Sequence, residues 1–465
     1  MSQRGRFSVA HLDILKKEGV TLSGVVGIYS KSKNHVSKIA YYGLYALQHR
    51  GQMSTGIAVN NNGFIDYFKD LGLVHEVFPK ETMDRLRGNI AIGHVRYATV
   101  GDATTVNAQP LVVGYKKGAL ALAHDGSVVN FASLRDELED NGAIFQSQLD
   151  TEVIANLIAR YHKDNIEEAI IKTLSSVDGT YGLVMMTTDY LIGARDPYGV
   201  KPLALGKYED DYILASETCA FDTIGADFIR EIEPGEVVII NEDGLKSISV
   251  NRKEKRLCLF EIIYFARPDS RLDYKSLYLA RIEAGKELAK EAAVEGDIVI
   301  GAPDSGTIPA IGYAEESKIP YAEGLIKNRY VGRTFIEPTE ELREQGVRIK
   351  LNVLKENVEG KRVILVDDSI VRGTTIKRTV KMIKDAGAKE IHVRISSPPV
   401  LHSCHLGMDT PDGEKLIANQ MSASDIKELI GADSLEYLSL QGILKAAGGM
   451  GYCTGCLNGD YPISK

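Results

Sequence analysis

The most constraining stretch of the chain is Val363-Ile364-Leu365-Val366-Asp367-Asp368-Ser369-Ile370-Val371-Arg372-Gly373-Thr374-Thr375. Its apolar, β-branched start reads as a buried parallel strand. Two adjacent carboxylates close that strand, and a hydroxyl- and glycine-rich loop leads into a helix from Ile376 to Ala386, stopped by Gly387. A strand, a loop and a helix N-terminus present backbone N–H groups and the positive end of a helix dipole to an anion. Ser369, Gly373, Thr374 and Thr375 are small enough to let a phosphate reach the backbone, and Arg372 adds charge. Asp367 and Asp368 stand where ligands of open α/β sheets bind, suited to ribose hydroxyls or to Mg²⁺. A plain βα turn with a surface acid pair would not need the phosphate loop to follow the acids without a spacer.

The 465-residue chain has room for two or three domains with full cores. With 55 basic and 63 acidic residues its net charge is −8, which argues against a general nucleic-acid or acidic-membrane partner. No apolar run approaches the roughly 18 residues that span a bilayer, and residues 1–22 lack the apolar core of a signal peptide. A cytoplasmic protein is expected. The five cysteines, Cys219, Cys258, Cys404, Cys453 and Cys456, do not suggest a disulfide framework.

Residues 1–22 read as a leader or propeptide-like segment. Strands are then expected at Ser23 to Tyr29, Thr55 to Val59, Gly63 to Phe68, Ile90 to Arg96 and Ala119 to His124, with helices from Val36 to Gln48, Ser133 to Asn141 and Asp150 to Tyr161. Further strands are expected at Tyr181 to Thr187, Leu191 to Arg195, Tyr212 to Ala215 and Glu236 to Ile240. Mixed strands and helices predict an α+β domain over 23–250. The charge run Asn251 to Arg256 marks a join. Beyond it, strands at Asp297 to Gly301, Arg362 to Asp368 and Glu390 to Ser396 alternate with helices and predict an α/β domain over 251–465 with a parallel sheet.

The phosphate loop resembles the phosphoribosyl-pyrophosphate (PRPP) signature of type I phosphoribosyltransferases. From about residue 23 to 456 the chain resembles the glutamine PRPP amidotransferase family. The resemblance is carried by Gln48-His49-Arg50-Gly51-Gln52, Gly93-His94-Val95-Arg96-Tyr97-Ala98-Thr99, Asp150-Thr151-Glu152, Ser216-Glu217-Thr218 and Lys327 to Phe335, besides the PRPP loop. It implies an N-terminal nucleophile (Ntn) glutaminase domain, an αββα sandwich, followed by a type I phosphoribosyltransferase domain. Glutamine would be hydrolysed in the first, and its ammonia would meet PRPP in the second to form 5-phosphoribosylamine, the first step of purine synthesis.

The same resemblance implies site residues. Asp367 and Asp368 would meet the ribose and Mg²⁺, with Ser305 as a further Mg²⁺ contact. Ser369, Arg372, Gly373, Thr374 and Thr375 would hold the 5′-phosphate. Lys327, Arg329, Tyr330 and Arg333 begin a long polar segment that would close over pyrophosphate and exclude water. Arg96 and Asp150 would grip the carboxylate and amine of glutamine. Cys258, Cys404, Cys453 and Cys456 fall at the family's iron–sulfur positions and imply a structural 4Fe–4S cluster. Zinc is the other reading of such a cysteine set. Cys219 is expected to be an ordinary buried residue. A homodimer or homotetramer, and purine nucleotides as inhibitors, are also implied.

The chemical centre of the glutaminase half departs from the family. The family nucleophile is an N-terminal cysteine whose own amine serves as base; here the position is Ser23, behind 22 further residues. The family's Asn-Gly oxyanion hole is Asp125-Gly126, and a carboxylate there repels a developing oxyanion. Met53 and Ser127 replace a glutamate and an asparagine. Loss of glutamine hydrolysis is expected, with ammonia arriving free or from a glutaminase-competent homologue. Two other readings compete: transfer to a different acceptor, and a non-catalytic PRPP- or nucleotide-binding regulator of a partner.

Overall fold

A computed structural model describes residues 22–31, 35–97, 104–328 and 351–464. Two sheets face each other in the N-terminal half. The first runs, edge to edge, through Asp227–Glu231, Ala204–Tyr208, Asp211–Ala215, Leu22–Tyr29, Ile90–Tyr97, Ser54–Asn61 and Phe64–Leu71. The second runs through Gly244–Ser249, Glu236–Asn241, Leu191–Arg195, Gly179–Met186, Gly118–Val128 and Leu111–Tyr115. Alternate residues of facing strands, such as Val25, Ile90 and Ile92 against Ala121, Ala123 and Val184, fill the layer between them. Outside the first sheet pack the helices Val36–Ala46 and Cys219–Ile224. Outside the second pack Asp150–Tyr161 and Ile166–Ser176. These four layers are the expected αββα sandwich.

The C-terminal half carries a parallel sheet in the order Ile298–Gly301, Arg362–Asp367, Glu390–Ile395 and Ser434–Tyr437. Its strands read as continuous apolar runs because helices cover both faces. Helices Leu277–Glu291 and Thr307–Ser317 pack together on one side, and Thr374–Asp385 lies on the other.

Most expected elements are found with ends shifted by a residue or two, but the strand expected to end at Phe68 runs to Leu71, and the one expected to end at His124 runs to Val128 and so takes in Asp125 and Gly126. Several were not anticipated. The helix Leu277–Glu291 buries one face but carries Arg281, Glu283, Lys286, Glu287 and Lys290, which blur its apolar stripe. The strands Ala204–Tyr208 and Asp227–Glu231 are short and mixed in polarity. A π-helical turn, Glu261–Phe265, follows the join.

The two halves are knit together. Leu257–Cys258 pairs in parallel with Tyr452–Cys453, bringing the C-terminus back to the join. Leu22, the first described residue, pairs with Tyr97 yet buries its side chain among Leu257, Phe260 and their neighbours in the C-terminal core.

Candidate active site

The PRPP-type loop lies at the carboxyl end of the parallel sheet. Asp367 ends its strand, and the N–H of Asp368 donates to Asp367 Oδ1 at 2.9 Å. The Ser369 hydroxyl donates to Asp368 Oδ2. Burial, and then the neighbouring Asp368 carboxylate, push the Asp367 carboxyl well above the usual range. A buried acid pair held together this way is relieved by a cation. Gly373 caps the helix Thr374–Asp385 at φ +76°, a left-handed conformation that glycine adopts without strain. A Cβ there would also stand 2.7 Å from Ile417 Cδ1. Arg372, Thr374 and Thr375 are exposed around the helix N-terminus.

The neighbouring strand supplies a second loop. The N–H of Ala302 donates to Val366 O at 2.8 Å, which seats Ser305 beside the acid pair's strand. A Cβ on Gly306 would come 2.4 Å from Val366 O, so glycine lets the loop approach. Lys327 reaches this loop and pairs with Asp304. The fold therefore gathers Ser305, Lys327, Asp367, Asp368 and the PRPP-type loop at the carboxyl end of the parallel sheet. Arg329, Tyr330 and Arg333 lie outside the described residues.

The second locus lies at one end of the sandwich. Strand alternation turns Ser23, two residues before the core residue Val25, into the layer between the sheets. The same alternation turns Asp125, two residues after Ala123, into that layer from the other side. Ser23 is fully buried, its Oγ has no hydrogen-bond partner among the described residues, and its nitrogen lies in the peptide bond to Leu22. The Ser23 carbonyl accepts from Arg50 Nε at 2.8 Å. Asp125 is also fully buried. Its Oδ2 accepts from Arg50 Nη2 at 3.0 Å, and its Oδ1 lies 3.1 Å from Lys201 Nζ. Burial disfavours the charged carboxylate, but Lys201 and Arg50 outweigh it and hold the group below its usual range.

Arg50 is the hub of a larger buried network. It also donates to Glu217 at 2.6 Å and to both oxygens of Glu261 at 2.7 and 3.0 Å. Its guanidinium stacks 4.5 Å over the Phe265 ring. Glu217 further accepts from the N–H of Arg267, from the Ser270 hydroxyl, and pairs with His49 at 2.7 Å. Glu261 and Phe265 belong to the π-helical turn of the C-terminal half, so this network bridges the halves. Arg50 and Glu217 stand inside the motifs that carry the family resemblance, but the local pattern gives neither a role. Nothing in the local pattern announces Lys201, 76 residues along the chain from Asp125, or Glu261, 211 residues from Arg50.

The residues expected to hold glutamine are placed as follows. Arg96 stands opposite Ser23 in register, is 5% exposed, and donates to Asn107 O at 3.0 Å. Asp150 opens the helix Asp150–Tyr161, accepts from the Val128 N–H at 3.0 Å, and lies 3.3 Å from His124 Nδ1. Asp150 thus braces the strand on both sides of Asp125-Gly126. Met53 donates its N–H to Arg96 O, and Ser127 pairs with Thr180 in the next strand.

The four C-terminal cysteines also come together. Cys258 is in register with Cys453, Cys456 follows three residues later, and the N–H groups of Leu401 and His402 both donate to Cys456 O. Burial raises the pKa of all four thiols; Cys453 is pushed up to about 12. Cys258 feels each of the other three electrostatically. Among the described residues no three His, Cys, Asp or Glu side chains take the arrangement that a single metal ion requires. An all-thiol set of four is compatible with a 4Fe–4S cluster and with zinc alike. Cys219 is buried apart, with its Sγ 3.8 Å from Glu217.

An Ntn-type sandwich joined to a phosphate loop on a parallel sheet defines a glutamine amidotransferase coupled to a phosphoribosyltransferase. Family models agree: residues 94–223 match a glutamine amidotransferase domain, and residues 274–396 match a phosphoribosyl transferase domain. The chain is 50% identical over 450 residues to the amidophosphoribosyltransferase of Archaeoglobus fulgidus, covering 95% of this chain and 98% of that protein. It is 49% identical to the amidophosphoribosyltransferase of Bacillus subtilis, covering 94% of each. A solved glutamine PRPP amidotransferase from Bacillus subtilis, complexed with ADP and GMP, superposes with a TM-score of 0.90 at 48% identity, over 95% of this chain and 97% of that one. A second solved structure, described as the allosteric regulatory enzyme of purine biosynthesis, gives 0.91 at 49% identity, over 95% and 96% of the two chains. The chain belongs to the amidophosphoribosyltransferase family and is an enzyme of the glycosyltransferase class. No helix among the described residues is long and apolar enough to cross a membrane.

Proposed function

We propose that this enzyme makes 5-phosphoribosylamine from PRPP and ammonia, and that it no longer hydrolyses glutamine. The observation that carries the second part is the Asp125 carboxylate, buried at the oxyanion position and locked between Arg50 and Lys201. An oxyanion hole works by aiming donors at developing negative charge. An ionised acid held at that point opposes the charge instead. The state of Ser23 supports the same reading. While residues 1–22 are attached its amine is held in the peptide bond to Leu22 and cannot act as base, and a serine hydroxyl without a base is a weak nucleophile.

The transferase end supports PRPP chemistry. The amides at the start of the helix Thr374–Asp385, with Arg372, would hold the 5′-phosphate. Asp367 and Asp368 would take the ribose hydroxyls, and with Ser305 they would hold Mg²⁺, which when bound neutralises charge on pyrophosphate. Lys327 would add positive charge from the adjacent loop. The ammonia lone pair attacks the anomeric carbon as its bond to pyrophosphate breaks, and the new amine gives up a proton to solvent. No protein base is required, because ammonia is already a competent nucleophile. Cys258, Cys404, Cys453 and Cys456 would hold a 4Fe–4S cluster that ties the C-terminus to the join. Purine nucleotides fit as inhibitors, and a glutaminase-competent homologue fits as an ammonia source.

The test compares pyrophosphate release by anaerobically purified protein given PRPP and Mg²⁺ with either ammonium or glutamine. Release with ammonium alone is expected. Equal release with glutamine overturns the loss of hydrolysis, and release with neither overturns the ammonia-dependent transfer.

A further inference from the structure

The segment that carries Cys404 rests directly on the oxyanion position of the other half. Lys201 joins the two. Its ammonium, on a side chain 2% exposed, lies 3.1 Å from Asp125 Oδ1 and donates to Gly407 O at 2.7 Å. Next to it, the Thr180 hydroxyl donates to Leu406 O at 2.8 Å. The Leu406 N–H in turn donates to Cys404 Sγ at 3.3 Å. Packing is close: a Cβ on Gly407, at φ +91°, would come 2.8 Å from Lys201 Cε and 3.1 Å from the backbone of Gly126.

From these contacts we infer that Asp125 is a positioning residue for Cys404: it orients Lys201, and Lys201 pins the 404–407 segment that presents this thiol to the four-cysteine site. The physical argument concerns what a buried ammonium needs. Lys201 has one carbonyl from the segment, and a carbonyl alone does not balance a charge removed from water. Asp125 supplies the counter-charge, and so makes it possible for Lys201 to stay ionised and strongly bonded to Gly407 O. A neutral amide at position 125 would keep the shape and lose that compensation. The carboxylate that is unsuited to an oxyanion hole thereby holds the cysteine segment across the boundary between the halves.

The inference rests on the four-cysteine reading only for its consequence, and the test separates the two. Full-length wild-type protein, Asp125→Asn, Lys201→Met and Lys201→Arg are prepared anaerobically and divided. One portion is followed by visible absorbance and iron content during exposure to air. The other is stripped with chelator, and alkylation of each cysteine by iodoacetamide is timed by mass spectrometry under native conditions. Asp125→Asn and Lys201→Met are expected to speed alkylation of Cys404 by at least about tenfold, the scale on which a buried pair loses one charged partner. Alkylation of Cys219, which touches neither Asp125 nor Lys201 and meets the network only through Glu217, should change far less than that of Cys404, and Lys201→Arg should keep most of the wild-type protection. A double variant, Asp125→Asn with Lys201→Met, added to these four, should be no faster than Lys201→Met alone, because both act through one contact. If a cluster is present, it should also bleach faster in both neutralised variants. Absence of iron from every sample overturns the cluster and leaves the alkylation result decisive. Cys404 protection that is the same in all four proteins, or lost equally at Cys219, overturns the inference.

Discussion

At the scale of single residues, the proposed loss of glutamine hydrolysis rests on two side chains. Ser23 lacks the reactivity of a thiol, and the Asp125 carboxylate stands between Arg50 and Lys201 at the proposed oxyanion position. On that proposal the defect is joint, and so is its repair. A chain produced with residue 23 first, carrying both Ser23→Cys and Asp125→Asn, is expected to gain glutamine-dependent ammonia release, measured by coupled glutamate formation. Ser23→Cys alone should remain at least about 10²–10³-fold slower, because the oxyanion still faces a carboxylate. Asp367 gives a second residue-scale expectation. Its folded-state pKa is raised by burial and by Asp368. The folded chain thus holds that proton more tightly than the unfolded chain, and the associated stability is lost as pH rises through the folded value. Mg²⁺ needs the ionised form. Calorimetric affinity for Mg²⁺–PRPP should strengthen as pH rises, and Asp367→Asn should weaken binding and flatten that dependence.

At the scale of elements, the phosphate loop depends on one backbone conformation. Gly373 sits at φ +76° with Ile417 Cδ1 closing the space where a side chain would go. Forcing an L-residue into the left-handed region costs about 1–2 kcal/mol before any clash. Gly373→Ala should therefore raise the KM for PRPP about tenfold or more, since about 1.4 kcal/mol is a factor of ten. Far-UV circular dichroism should stay unchanged, because the helix Thr374–Asp385 is secured by Ile376, Val380 and Ile383 in the core. Equal KM values for the variant and wild type would show that the loop does not carry the phosphate. The elements themselves were largely legible. Strong apolar runs such as Val363 to Val366 announce buried strands, whereas Leu277–Glu291 is hidden by charges on both faces, Arg281 and Glu287 being buried.

At the scale of the whole molecule, the halves meet through buried charge as well as apolar packing. Arg50 compensates Asp125, Glu217 and Glu261 together, and every one of the four is fully buried. Removing the hub leaves three carboxylates with reduced compensation. Arg50→Met should lower unfolding free energy in urea by about 3–5 kcal/mol, the usual cost of leaving a buried charge unpaired. Glu217 and Asp125 both have depressed pKa values, the first through His49 and Arg50, the second through Lys201 and Arg50. Their contribution is present at neutral pH and is lost as pH falls through the folded values, so wild type should lose more stability than Arg50→Met on acidification. Identical acid sensitivity of the two proteins would mean that the network does not govern it.

The sequence by itself determined the chemistry that is written locally. An acid pair followed at once by a small-residue loop, alternating strand patterns and a paired-cysteine turn are each contained within a few residues, because the backbone geometry they exploit spans one turn or one strand. It also locates two departures from the family pattern, at Ser23 and Asp125. Only the tertiary structure decided what surrounds them. Arg50, Lys201, Glu217 and Glu261 become one network because two facing sheets and a π-helical turn bring distant stretches within hydrogen-bond reach. Whether a buried carboxylate is tolerable depends on which cations surround it, and that is a property of packing in three dimensions rather than of neighbours along the chain.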